Sequence, residues 1–195
     1  MFNATILSMP PVNVTLSWDL VIIVFFAIVM SYSFIIGRNQ SIRVMIAAYI
    51  SIIATQGIGN VILRLAGSSI NNIEILNFTF NVSIISALKI IIFVTFIILL
   101  ALRSGIHITY TKESGSLMNI LYTTIFGFGT AGLIISTILT YVAGNAILDV
   151  TMPSSGAIAP IAQSSPLMQI MVLNQDIWFS LPAILIIAAG FINNE

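Results

Sequence analysis

The chain has 195 residues, of which 58% are apolar and 6% charged, and its six basic and six acidic side chains cancel to zero net charge. An ordinary soluble domain carries about 25% charged residues, so this chain cannot coat a water-facing surface and reads as an all-α, polytopic membrane protein with the lipid bilayer as its first partner. Six scattered cations make no nucleic-acid-binding patch, the lack of cysteine removes disulfide staples and thiolate metal sites, and the single histidine, His107, builds no zinc site alone.

The first segment, 1–17, carries no Lys or Arg and holds Pro10-Pro11, so it does not read as a secretory signal; it is expected to lie outside the membrane. A helical crossing takes about 20 mostly apolar residues. Four windows meet that length: 18–36, 42–65, 82–102 and 117–142, which together form the expected four-helix transmembrane domain over 18–142. Each must be a helix, because lipid offers the backbone no hydrogen-bond partner. The 37–41 stretch between the first two windows reads as a tight turn, and 66–81, with Gly67 and four asparagines, reads as a polar loop. The 103–116 loop is the most charged. The 143–176 segment is expected outside, with a short surface-lying helix over 166–174 that places Leu167, Ile170, Met171 and Asn174 on one face. The last segment, 177–195, contains an apolar run over 177–192 that reaches about 24 Å at about 1.5 Å per residue. It is short for a crossing and is expected to be membrane-associated, with Pro182 in the first turn of a helix that starts near Ser180.

Cations set the expected orientation. Arg38, Arg43, Arg103 and Lys112 fall at the ends or loops of one side, and Arg64 falls on the other. The first and third loops are therefore expected in the cytoplasm and the N-terminus outside, with Trp18, Tyr141 and Trp178 at the outer boundary. Asn3, Asn13, Asn77 and Asn81 begin Asn-x-Ser/Thr triplets on that outer side, a pattern an Asn- and Thr-rich chain also produces by chance.

Polar side chains inside a crossing are the candidates for function, because they are costly there. In the second window, Ser51, Thr55 and Gly59 follow one another four apart, and Gln56 and Asn60 form a neighbouring pair. On a helix these read as one shared polar face, suited either to a polar path or to packing against another helix. Lys89 lies seven residues inside the third window. It is expected to snorkel outward or to pair with Asp19, near the outer end of the first. In the fourth window, Thr123, Gly127 and Ala131 recur every four residues, as do Gly132, Ser136 and Thr140. Two such small-residue faces suggest two packing partners, one within the chain and one in another copy. His107, Lys112 and Glu113 share a cytoplasmic loop, but no Ser-His-Asp arrangement, phosphate-binding loop or intramembrane protease set can be assembled. No enzyme, metal or cofactor is expected.

Several features together resemble the colicin V production protein family of bacterial inner-membrane proteins. They are Trp18-Asp19 with Ile22-Ile23 opening the first window, the Gly37-Arg38 turn followed by Arg43, the four-residue steps Thr123, Gly127 and Ala131 in the fourth, and Ser164-Ser165-Pro166-Leu167 leading to Asn174-Gln175-Asp176. The Gly-Arg order is the reverse of the family's, two of its glycine steps are Thr123 and Ala131, and the apolar tail is longer. The resemblance implies a four-helix protein of the bacterial inner membrane linked to toxin export and envelope homeostasis. On that reading the chain is a self-associating scaffold. A homo-oligomeric channel or transporter lined by the second window, and a small anchor subunit of a larger complex with other membrane proteins, are the alternatives.

Overall fold

The computed structural model describes residues 17–65, 73–75, 78–80, 82–103, 116–143, 147 and 165–192. Five helices account for most of them: α1 (Trp18–Leu65), α2 (Val82–Arg103), α3 (Ser116–Val142), α4 (Pro166–Leu173) and α5 (Gln175–Ile192). The Asn-x-Ser/Thr asparagines, His107, Lys112 and Glu113 lie outside the described residues. Part of the expected polar loop is a small antiparallel hairpin. Strand β1 (Ile73–Ile75) pairs with β2 (Phe78–Phe80) in the register Ile73 to Phe80, Glu74 to Thr79 and Ile75 to Phe78.

The first two windows are one helical run folded at a single residue. Gly37 has φ 76° and ψ 176°. That conformation is open to almost nothing but glycine. The expected five-residue turn is thus compressed into one, and helix resumes at Arg38. Ser41 Oγ lies 3.4 Å from the Ser33 carbonyl oxygen and 3.0 Å from that of Gly37. Eight residues of straight helix would separate Ser33 and Ser41 by about 12 Å, so the chain doubles back here. The two arms, 18–36 and 38–65, then rise about 28 and about 42 Å, each long enough to cross the hydrocarbon.

The core contacts give the direction of every helix. Ile22 packs with Ile135 and Leu139, and Gly127 meets Met30 and Ser33, so the first arm runs antiparallel to α3. Ile42 and Met45 pack with Phe126, and Ala48 and Ile52 with Leu133, so the second arm runs parallel to it. Lys89 of α2 lies against Gly59 while Phe93 joins Ala48 and Ile52, which makes α2 antiparallel to the second arm. Helix α3 is the centre of the bundle: Ala131, Leu133, Ser136, Thr137, Leu139 and Thr140 are fully buried.

Most of the described helix hydroxyls do not break these helices because they find a partner within their own turn. Thr123, Thr130, Thr137 and Thr140 donate to the carbonyls of Asn119, Phe126, Leu133 and Ser136, four residues back. That pattern satisfies a polar side chain where lipid cannot.

Helix α4 differs from the expected surface helix. Its inward residues are Met168, Met171 and Val172, which pack with Ile22, Ile135 and Leu139 inside the bundle, while Ile170 is exposed. Ser165 caps it by accepting from Met168 N–H at 3.1 Å, and Pro166 sits in the first turn. The missing N–H of a proline costs nothing there. After Asn174 the chain bends by 63° and continues as α5. The apolar run therefore starts its helix at Gln175, before Ser180, and Pro182 lies in the helix interior. Among the described residues three helices are long and apolar enough to cross a membrane, the first of them folded at Gly37, and the bent α4–α5 pair meets the same test as one unit.

Candidate functional site

The two rows on the second arm separate. Ser51 and Thr55 are fully buried and Gly59 is closed over by Lys89, so this row faces the bundle. Ser51 Oγ donates to the Ala47 carbonyl at 2.7 Å. Gln56 and Asn60 turn the other way and line a cavity of about 740 Å³ between the second arm and the start of α5. The single shared polar face expected from the spacing is thus a packing row beside a cavity-lining row. Residues four apart stack, but the one-residue offset turns the second row by about 100° around the helix axis.

The opposite wall comes from α5 and was missed in the sequence. Asp176, Phe179 and Ser180 line it, with Tyr49, Ile52, Ile53 and Ile147 completing the boundary. The Tyr49 hydroxyl donates to the Phe179 carbonyl. That carbonyl lies in the turn before Pro182, whose missing N–H leaves the Trp178 carbonyl, four residues back, without its helical donor. The Tyr49 hydroxyl thus ties the second arm to the turn of α5 that the proline loosens. The legible signal was Asp176 at the head of a short apolar run interrupted by proline.

Asp19 and Lys89 do not pair. One carboxylate oxygen of Asp19 accepts from the Ser165 hydroxyl and from Leu167 N–H, the latter at 3.1 Å. Its partner is the amino end of α4, where unpaired backbone N–H groups favour a carboxylate. Lys89 lies on α2, against the second arm. Its Cε would stand 2.7 Å from a Cβ on Gly59, and its Nζ lies 5.9 Å from the centre of the Tyr141 ring. Among the described residues no carboxylate pairs with it. Tyr141 is 1% exposed and turned into the bundle. Trp178 packs on Gly132. That glycine lies about 15 Å along the helix from Val142, the end of α3, at about 1.5 Å per residue.

The small-residue faces of α3 both find partners inside the chain, contrary to the expected contact with another copy. On the Thr123, Gly127 and Ala131 face, a Cβ at Gly127 would lie 2.8 Å from Ser33 Cβ of the first arm. On the Gly132, Ser136 and Thr140 face, a Cβ at Gly132 would lie 2.1 Å from Trp178 Cε3, and Ser136 Oγ donates to the Met171 carbonyl at 3.0 Å. Phe26, Phe128 and Trp178 form a ring cluster at centroid separations of 5.4 to 6.0 Å around that contact. The small residues are the sockets for α1 and for the α4–α5 unit.

No group of three or more His, Cys, Asp or Glu side chains that could hold a metal comes together among the described residues. No protein-family model matches the chain, and no curated protein and no solved structure matches it either.

Proposed function

We propose that this chain is a non-enzymatic integral membrane protein that binds a polar solute in the cavity between the second arm of α1 and α5 and passes it across the bilayer. The observation that carries this reading is the convergence of Tyr49, Gln56, Asn60, Asp176 and Ser180 on one cavity in a bundle whose other polar groups are mostly bound to their own helix. Such convergent polar groups in an apolar pocket are what ligand sites are made of. On this reading the chain crosses five times, as the two arms, α2, α3 and the broken α4–α5 pair, with the N-terminus outside and the C-terminus in the cytoplasm. A discontinuous helix bordering a polar site is a recurrent feature of membrane transporters. The resemblance to the colicin V production family supports the bacterial inner membrane as the location and export as the process. Solute uptake by proteoliposomes tests the proposal. Purified wild type is expected to give flux above empty vesicles, and Gln56→Leu to reduce it. A flux-silent wild type overturns it.

The second reading is a self-associating scaffold for toxin export and envelope homeostasis. The Gly37-Arg38 turn with Arg43 supports it, because that turn is one of the features that resemble the family, although in reversed order, and is built as a single-residue reversal. With both small faces of α3 occupied, self-association has to use the lipid-exposed sides of the other helices. Native mass spectrometry after gentle extraction separates the cases: a homo-oligomer supports the scaffold, whereas a fixed complex with a different protein makes the chain an anchor subunit.

A further inference from the structure

The lining of the cavity also constrains what it holds, an inference that rests on the binding role proposed above. Its hydroxyl protons are already committed: Tyr49 donates to the Phe179 carbonyl, and Ser180 donates to the Ile177 carbonyl at 3.4 Å. A hydroxyl whose proton is engaged offers only lone pairs to a ligand. Asp176 adds a carboxylate, which accepts only, and Gln56 and Asn60 add two amide oxygens. Among the described residues no Lys or Arg lines the cavity, and Lys89 lies against Gly59 of the second arm. Among the described residues the site therefore has one negative charge, an excess of acceptors and no positive charge to meet an anion. The amide N–H₂ groups of Gln56 and Asn60 are the uncommitted side-chain donors among the described lining residues.

The rest of the boundary is apolar and open toward lipid. Ile52 and Ile53 run beside Gln56 on the second arm, and Ile53 is 71% exposed. A hydrocarbon tail can lie along them while a charged head reaches Asp176. We infer that the cavity binds an amphiphile bearing a primary ammonium group, with the N–H donors on the acceptors of Asp176, Tyr49 and Ser180 and the apolar body along the isoleucines. A quaternary ammonium carries the same charge without N–H donors, so it satisfies the charge but leaves the acceptors unmet.

The test is calorimetric titration of the full-length protein in a neutral maltoside detergent. The probes are dodecylammonium, dodecyltrimethylammonium and dodecanoate. Saturable binding of dodecylammonium is expected, weaker by about tenfold for the trimethyl compound and about tenfold in Asp176→Asn, the scale of one lost charge-assisted hydrogen bond. Asn60→Leu, at an exposed position, is expected to weaken it several-fold and serves as a second variant. Equal affinity for the two cations, or no change in Asp176→Asn, overturns the inference. Tighter binding of dodecanoate that depends on Gln56 also overturns it, yet leaves the cavity as a binding site. No binding of any probe removes both the inference and the reading on which it rests. Nanodiscs then identify the source. Phosphatidylethanolamine that competes with dodecylammonium, where phosphatidylcholine does not, supports the inference with a lipid headgroup as the ligand. Undiminished binding in phosphatidylethanolamine supports it with a free amine.

Discussion

Helices α2 and α3 are both long enough to cross a membrane, yet they play opposite parts. The α2 window is the more hydropathic, and 6% of it is buried; the α3 window is the less hydropathic, and 72% of it is buried. In a water-soluble protein that order would be reversed, because burial there removes apolar surface from water. In a bilayer the lipid tails are as apolar as leucine, so hydrophobicity gives a helix no reason to be inside. Close backbone approach and satisfied polar groups do, and α3 has both. Gly127 and Gly132 admit Ser33 and Trp178, and its buried Thr and Ser hydroxyls bond to its own carbonyls or to Met171. Helix α2, built of Ile, Leu and Phe, meets the bundle through Lys89 and Phe93 and shows Ile91, Ile98, Leu99 and Leu102 outward.

The hardest blow to this contrast comes from filling a socket in α3. Gly132→Leu has no room, because even its Cβ would fall 2.1 Å from the indole of Trp178. A loss of at least about 3 kcal/mol, the upper end for overpacking, is expected. It should appear as aggregation on size exclusion after a mild thermal ramp. Gly132→Ala paired with Trp178→Ala should be less damaging than the sum of the two, since shrinking the ring relieves the clash. A stable Gly132→Leu would show that α3 is not held by its small residues. Next comes Gly37→Ala. A Cβ there touches nothing within 4 Å, so its whole effect is backbone strain at the positive φ. Such strain costs about 1–3 kcal/mol. A fall in thermal midpoint without change of detergent-extracted mass is the expected reading. Asp19→Asn follows, at about 1 kcal/mol, because an amide oxygen still accepts but without charge. Faster hydrogen exchange at Leu167 and Met168 is expected, with α3 amides unchanged. Unchanged exchange at Leu167 would show that Asp19 does not hold α4 in place.

How far the sequence was legible follows the same physics. The helical windows could be read because lipid forces each crossing to satisfy its own backbone, and apolar length then marks it. The small-residue rows of α3 were legible as packing faces, but not their partners: Ser33 and Trp178 lie about 100 and about 50 residues from their glycines. Spacing along one helix carries no information about what will meet it. Asp19 and Lys89 were both expected near the outer side, and only the packing of the bundle sends Asp19 to the amino end of α4 and Lys89 to Gly59 of the second arm. The cavity was half legible. Gln56 and Asn60 stood out as amides in a crossing, whereas Tyr49 and Ser180 are ordinary residues until the 63° bend sets α5, with Ser180, across from the second arm.

The smallest expected effect tests α2 at the charged residue in its interior, Lys89. Lys89→Met removes an ammonium whose placement in a crossing costs about 2.5–3.5 kcal/mol at the bilayer centre and less when the head reaches outward. It also removes the contact over the Tyr141 ring. A cation–ring contact of that kind contributes roughly 0.5–2 kcal/mol. The methionine chain can still lie against Gly59, so little packing is lost. The two electrostatic terms nearly cancel, and the thermal midpoint should move by less than about 3 °C, given that about 1 kcal/mol shifts a domain of this size by about 2–4 °C. Lys89→Ala keeps the electrostatic change but empties the space over Gly59, so any extra loss beyond Met measures packing alone. A large fall in Lys89→Met, matched by Lys89→Ala and absent in Lys89→Arg, would make the charge itself a bundle contact. Helix α2 would then belong, at that point, to the same class as α3, held in place by a polar group and not left to the lipid.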